Sequence, residues 1–334
     1  MNLAVFFARN YKTMKIKSLI PFLLVLFVVG IIACTPDDNS QEFVPERDRT
    51  EQQLADKDSL LQYLSTHYYN SGFFETGTNH RYSDIIISEL PKDDDDNYLP
   101  LPNPESNTLL IDAIDDPYQV EFADTDYEYY VLRINQGGGA SPAFTDAVRV
   151  RYEGSLVTSA SVFDEQSSPA DVPLQGDGFT VFGTIEGWKL IMPTFNTAEN
   201  FVIEDDGQVT YDNYGLGVMF LPSGLAYYSN FVTGIPQYSN LVFKFDLLQY
   251  EVIDHDNDLV LSFIEDLDGD GNVSNDDTDE DGIPNFLDID DDGDGVITRF
   301  EDIDGDGDPT NDIGMNGIPK YLDPEETESN QDEN

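Results

Sequence analysis

The sequence predicts an α+β chain built from three consecutive parts. Segments 127–134, 147–152 and 241–250 are rich in strand formers. In the middle one Val148, Val150 and Tyr152 alternate with Arg149 and Arg151, so the apolar and charged side chains take opposite faces. One short helix, near Trp188, falls among these strands, which makes the class α+β. The third observation is charge. The 334 residues carry 66 acidic and 16 basic side chains, a net charge of -50. From residue 254 onward, 81 positions hold 29 acidic and 2 basic residues. A segment that repels itself so strongly is disordered unless cations neutralise it. The overall charge excludes nucleic acid as a partner, because phosphate backbones are bound by Lys and Arg.

In chain order, Lys15 and Lys17 precede an apolar run over 19–32, and Ile31-Ile-Ala-Cys34 follows. A charged start, an apolar core and a small residue before the cut describe a secretory signal peptide over 1–33, with Met14 as the expected true start. A cysteine directly after the cut resembles the bacterial lipobox, in which the thiol is acylated. Ile31 stands where Leu is usual. The resemblance implies lipidation of Cys34 and attachment to a membrane of the bacterial cell envelope, periplasmic or cell-surface, with the outer membrane expected. The alternative is an uncleaved anchor, although the run is shorter than the ~20 residues of a span. Cys34 is the one cysteine, so no intramolecular disulfide can form.

The tether and amino-terminal extension occupy 34–123. Over 47–69 the apolar residues Leu54, Leu60, Leu61, Tyr63 and Leu64 predict a helix, the later part taking helical spacing with Asp56 or Asp58 able to cap its start. Residues 71–104 read as loop, and 109–113 and 120–122 as short strands. The strand-rich domain spans 124–253. Of the three histidines, His67 and His80 precede it and His255 follows, so no Ser/His/Asp arrangement is evident.

Within that domain the chain reads Val148-Arg-Val-Arg-Tyr152-Glu-Gly154, Val162-Phe163-Asp164, Ile185-Glu-Gly-Trp188, Leu221-Pro-Ser-Gly-Leu-Ala-Tyr227, Gly234-Ile235-Pro236 and Asn240-Leu-Val-Phe243. This order and spacing resembles the FKBP-type peptidyl-prolyl cis-trans isomerases. The resemblance implies an antiparallel sheet wrapped on a short helix, and an apolar pocket for proline-containing peptides or unfolded proteins. It implies that Trp188 forms the pocket floor and that Tyr152, Phe163, Phe179 and Phe243 form its walls, Phe182 being the alternative to Phe179. Ile185 would offer its backbone N–H, Tyr227 its hydroxyl, Asp164 a rim carboxylate, and Ile235 would close the flap. No cofactor is implied for catalysis. The chain departs from the family at Thr184, at Tyr228 where Gly is usual, and in the 39 residues from Trp188 to Tyr227. The excess falls over 200–214, as an extra hairpin that narrows or blocks the pocket. The rival reading is a catalytically inactive peptide-binding or surface-attachment module.

After residue 253 an internal repeat begins. Segments 266–276 and 302–312 match, as do 282–288 and 317–323. Asp290, Asp292, Asp294 and Glu301 hold positions 1, 3, 5 and 12 of an EF-hand loop, with Gly295 at the turn and Val296 offering its carbonyl. The flanks read poorly as helices, so the region resembles thrombospondin type 3 repeats, without their cysteines. Asp266, Asp268 and Asp270 begin a second loop, which Asp277, Asp279 and Asp281 could complete. Asp302, Asp304, Asp306 and Asp308 begin a third. The expectation is structural calcium over 254–323, then a disordered tail over 324–334.

Overall fold

The computed structural model describes residues 45–333. The signal, lipidation and most of the tether fall on residues outside this range. Residues 47–333 form one compact unit.

The first helix, α1 (Arg49–Thr66), is capped by Asp48, whose side chain accepts from Glu51 N. Asp56 and Asp58, the expected caps, lie inside it. The buried face holds Leu60, Tyr63 and Leu64, but also Gln52, Gln53 and Asp56, whereas Leu54 is exposed. That mixed face explains the misplaced start: the first turns dock through polar groups, which periodicity does not register. Three short strands follow, β1 (His67–Tyr69), β2 (Ile87–Glu89) and β3 (Thr108–Leu109), in a small antiparallel sheet ordered β2-β1-β3. The run expected as a strand over 109–113 instead turns into α2 (Leu110–Ala113), which buries Leu110 beside α1.

The main sheet uses β4 (Tyr118–Phe122), β5 (Thr125–Asn135), β6 (Ala147–Leu156) and β7 (Val162–Pro173). After α3 (Glu186–Ile191) and a hairpin of β8 (Asn200–Ile203) and β9 (Val209–Asp212), it is completed by β10 (Gly215–Leu221) and β11 (Leu241–Glu251). Its order is β4-β5-β10-β11-β6-β7, antiparallel throughout. Because β4 pairs with β5 from Tyr118 onward, the sheet starts before the expected boundary at 124.

Both faces of the sheet are covered. One face packs Trp188, Ile191, Met192 and Phe195 against Val131, Val150, Met219, Phe243, Phe245 and Leu247. The other packs Leu60, Tyr63, Leu64, Tyr82 and Leu110 against Tyr130, Leu132, Val218, Phe220 and Val242. Each fully buried apolar side chain contributes roughly 1.5–3 kcal/mol, so the extension is packed on the sheet through an apolar cluster of its own. Polar anchors fix its position. The Tyr82 N–H donates to Asp246 Oδ1 at 2.6 Å, and Arg151 pairs with the other Asp246 oxygen at 2.8 Å. Burial pushes Asp246 up to about 6, against the pull of Arg151.

The acidic segment has little apolar core: Val260, Val273, Phe286 and Tyr321 are its buried hydrophobics. The carboxylates flank single 3-10 turns at Asn285–Leu287, Thr298–Phe300, Pro309–Asn311 and Lys320–Leu322. In the segment expected to be disordered, contacts reach as far as Asn330. Lys320 pairs with Glu326 and Glu328, and Asn330 Nδ2 donates to Asp302 O.

Candidate functional site

The expected aromatic residues meet on the α3 face of the sheet. Phe243, on β11, lies on that face because it alternates with Val242 of the opposite core, and Tyr152, on β6, because it continues the Val148–Val150 row and alternates with Arg151 and Glu153. Trp188 sits in α3, 4% exposed, with edge-to-face partners Tyr152 at 5.1 Å and Phe243 at 5.5 Å between ring centroids. Phe163 stands edge-on to Phe243 at 5.6 Å. Gly154 makes this possible: a Cβ there would fall 2.6 Å from the Phe243 ring and 2.7 Å from Phe163. Gly187 does the same for α3, where a Cβ would strike Leu221 at 2.5 Å.

A β-bulge places the carboxylate. Gly154 pairs with Asp164 and Ser155 with Val162, so Phe163 is an extra residue on β7. Neighbours on a regular strand point to opposite faces; the bulge lets Phe163 and Asp164 both reach this one. The Tyr152 hydroxyl donates to Asp164 Oδ2 at 2.6 Å. Tyr152 is raised above its ordinary pKa by burial first and this hydrogen bond second, so it stays a neutral donor. Tyr227 is raised likewise, by burial and then by the charge of Asp164.

Ile185 precedes α3 in extended conformation and accepts from Trp188 N at 3.0 Å. Its own N–H enters none of the hydrogen bonds found among the described residues. Ile235 is buried with the aromatic core, held by a turn in which its N–H donates to Val232 O at 3.1 Å. Phe231, in the same loop, is 91% exposed. Of the nine expected residues, the structure brings eight together. Phe179 is the exception. It is 83% exposed and lines a groove with Ile283, Pro284, Phe286 and Leu287 of the acidic segment; Phe182, the alternative, is 81% exposed. Asp177 caps the local turn by accepting from Phe179, Thr180 and Val181 N–H, which turns these side chains outward.

The extra hairpin forms, but not over the aromatics. Tyr211 and Tyr214 pack on Leu248, and the Tyr211 hydroxyl donates to Gln249 Oε1. Gln249 lies six residues along β11 from Phe243, about 20 Å at strand rise. A separate cavity of about 320 Å³, lined by Phe74, Asn79, His80, Asn213 and Tyr214, adjoins the extension and holds none of the expected residues.

The loop carrying Tyr227 is gripped by the extension. Asp56 Oδ2 accepts from Ser223 N at 2.9 Å and Ser223 Oγ at 2.6 Å, while Oδ1 accepts from Gln52. Asn240 accepts from the same Ser223 N–H and donates to Asp56 O. Tyr228 has φ +49, the left-handed conformation that glycine takes readily. Its ring lies under the Arg49 guanidinium at 4.2 Å, and its hydroxyl donates to Arg47 O. The backbone therefore keeps a glycine-like turn with a side chain anchored on α1. Sequence spacing missed Asp56 and Ser223 because they are 167 residues apart.

In the acidic segment, Asp290, Asp292 and Asp294 bring carboxylate oxygens within 4.8 Å of one another, as do the trios Asp266/Asp268/Asp270 and Asp277/Asp279/Asp281. The last three also converge among themselves. Glu301 is fully buried, and neither of its side-chain oxygens has a hydrogen-bond partner. Burial, then the charges of Asp292, Asp294 and Asp290, pushes Glu301 up to about 8. Asp302, Asp304 and Asp306 wrap a similar loop, with Asp306 N donating to both earlier carboxylates. Two residues escaped the sequence reading. Asp276 accepts from Leu267 N and Asp312 from Asp304 N, so each closes the repeat that begins ten residues before it.

These features are similar to a known class. Over 119 residues the chain is 31% identical to the FKBP-type 22 kDa peptidyl-prolyl cis-trans isomerase of Escherichia coli (strain K12), covering 35% of this chain and 47% of that protein. The chain thus has FKBP-type isomerase homology, and it spans about half the length of that curated relative. Among solved structures, FkpA from Escherichia coli matches at 25% identity with a TM-score of 0.29, covering 37% of this chain and 48% of that one. A peptidyl-prolyl cis-trans isomerase from Pseudomonas syringae pv. tomato matches at 22% identity with a TM-score of 0.30, over 41% and 83%. Residues 255–311 match a family model described as BamM C-terminal.

Proposed function

We propose that the chain is a peptidyl-prolyl cis-trans isomerase acting on proline-containing segments of extracytoplasmic proteins. The observation that carries the reading is Trp188 packed edge-on by Tyr152 and Phe243, with the Tyr152–Asp164 hydrogen bond at the rim. Rotation about a peptide bond meets a barrier of ~18–20 kcal/mol because the C–N bond is partly double. Catalysis of the step before proline breaks no bond; it requires tighter binding of the twisted amide than of the planar one. The proline ring packs on Trp188. The aromatic walls exclude water, which disfavours the charge-separated planar form. The Ile185 N–H and the Tyr227 hydroxyl bind substrate carbonyls, and Asp164 orients Tyr152 and polarises the rim. No proton transfer is assigned.

Calcium organises the acidic repeats in this reading. Supporting it are the convergence of Asp290, Asp292 and Asp294 and the buried, unpartnered oxygens of these residues and of Glu301, which feels their charge. Lipidation at Cys34 ties the protein to a membrane of the bacterial envelope; the residues from Ile31 to Cys34 support this.

The test is cis-to-trans exchange of a short Xaa-Pro peptide, followed by NMR with the full chain. Acceleration that falls in Tyr227→Phe and Trp188→Leu but survives Phe179→Ala supports the site. A folded chain that leaves the exchange rate unchanged makes it the peptide-binding module instead.

A further inference from the structure

The segment that leaves β11 repeats the spacing of the Asp290 loop. Asp254, Asp256, Asp258, Val260 and Glu265 fall at positions 1, 3, 5, 7 and 12, as do Asp290, Asp292, Asp294, Val296 and Glu301. Position 6 is Leu259 rather than glycine, which hides the motif. The backbone turns the same way regardless: φ is +83 at Leu259 and +93 at Gly295. A leucine held there is strained by about 1–3 kcal/mol, so the surrounding structure must impose the turn.

The carboxylates converge from two segments. Asp254, Asp256 and Asp258 bring oxygens within 4.8 Å of one another, and so do Asp258, Glu265 and Asp291. The second trio is buried throughout: Asp258 and Glu265 are 0% exposed and Asp291 is 1%. Both Glu265 oxygens, Asp258 Oδ2 and Asp291 Oδ1 are buried without a hydrogen-bond partner. None of the five enters an ion pair among the described residues. The nearby Arg299 guanidinium donates to Asn257 O. Unpaired buried carboxylates are strongly unfavourable, and a cation removes that cost. An all-oxygen set with one carboxylate shared between trios suits a hard divalent ion of calcium's size and flexible coordination.

We propose that Asp254, Asp256, Asp258, Glu265 and Asp291 form a calcium site that joins the segment after β11 to the repeat beginning at Asp290. The ion sets how the acidic segment leaves the sheet domain. Its first ligand, Asp254, follows Ile253, whose N–H donates to Asp146 of the domain, and the His255 ring packs edge-on to Phe286. The site shares the choice of calcium with the reading of the repeats and none of the isomerase reading.

Bound calcium is counted by equilibrium dialysis of the full chain, beside melting with calcium or with chelator. Glu265→Gln should bind fewer ions than the native chain, and the loss should add to that of Asp292→Asn, which empties the neighbouring loop. In chelator, Glu265→Gln should melt no lower than the native chain, because it removes a buried charge; in calcium it should melt lower. Asp254→Asn, partly exposed, keeps one side-chain oxygen to accept from the Asn257 or Leu259 N–H, and should weaken calcium at this site at least about tenfold without unfolding the chain. Unchanged counts and melting shifts in Glu265→Gln and Asp254→Asn would overturn the site while leaving the Asp290 loop standing. A native chain that binds no calcium would overturn both.

Discussion

Removing the Asp56 carboxylate tests whether α1 holds the loop that carries Tyr227. Asp56→Ala strands two buried donors, Ser223 Oγ and Gln52 Nε2, while Ser223 N keeps its bond to Asn240. A buried group left unsatisfied costs about 1–3 kcal/mol, more when its partner was charged. Two such losses, partly offset by relief of the buried carboxylate's desolvation, predict about 3 kcal/mol of destabilisation. At roughly 2–4 °C per kcal/mol for a chain of this size, the melting temperature should fall by about 6–12 °C. Asp56→Asn keeps one acceptor and should lose less. The assay pairs thermal melting with the Xaa-Pro exchange rate below the transition. If the loop is positioned from α1, both variants should also slow isomerisation per folded molecule, Asp56→Ala more than Asp56→Asn. A loss of under about 1 kcal/mol with unaltered exchange would refute the idea that the extension positions Tyr227.

Other consequences are equally direct. Gly154→Ala puts a methyl group against Phe163 and Phe243, so it should cost about 1–3 kcal/mol and slow exchange, seen by melting and by NMR. Trp188→Leu should lower the exchange rate more than Asp164→Ala does, since the ring is the floor and the carboxylate acts at the rim; equal rates in both and in the native chain would dismiss the site. The folded pKa of Asp246 lies near 6, above its ordinary value, so its contribution is fully present below about pH 4 and lost as pH rises through 6. Asp246→Asn should therefore flatten the stability-pH curve over that window by about 2–3 kcal/mol relative to the native chain, measured by urea unfolding. Chelation should melt the segment after residue 253 while sparing the sheet, followed by limited proteolysis; a protease pattern insensitive to chelator would count against calcium there.

Much of the site was legible in the sequence because its residue types are unusual in combination. Tyr152, Trp188, Tyr227 and Phe243 arrive in an ordered series that a generic core does not require, and strand alternation already assigns Tyr152 a face. Phe179 was misplaced for the converse reason. An aromatic residue in a glycine-rich loop carries no periodicity, and the Asp177-capped turn that directs it outward is a local backbone arrangement. The helix start was misjudged because Gln52, Gln53 and Asp56 are buried polar groups, which resemble a solvent face until their partners are known. Leu259 concealed a further acidic loop, since a left-handed turn is sought at glycine and the neighbouring structure imposes it on leucine.

The sequence by itself determined the α+β class, the aromatic series from Tyr152 to Phe243 and the spacing of the aspartate loops, all carried by local order along the chain. Tertiary structure alone decided the rest. The bulge at Phe163 turns two adjacent side chains onto one face, the extension closes the second face of the sheet, and the hairpin packs on Leu248 instead of over the aromatics. Asp56 meets Ser223, and Asp291 meets Glu265, across gaps that no periodicity spans. A buried polar group declares its role through its partners, and partners distant in sequence become visible once the chain has folded.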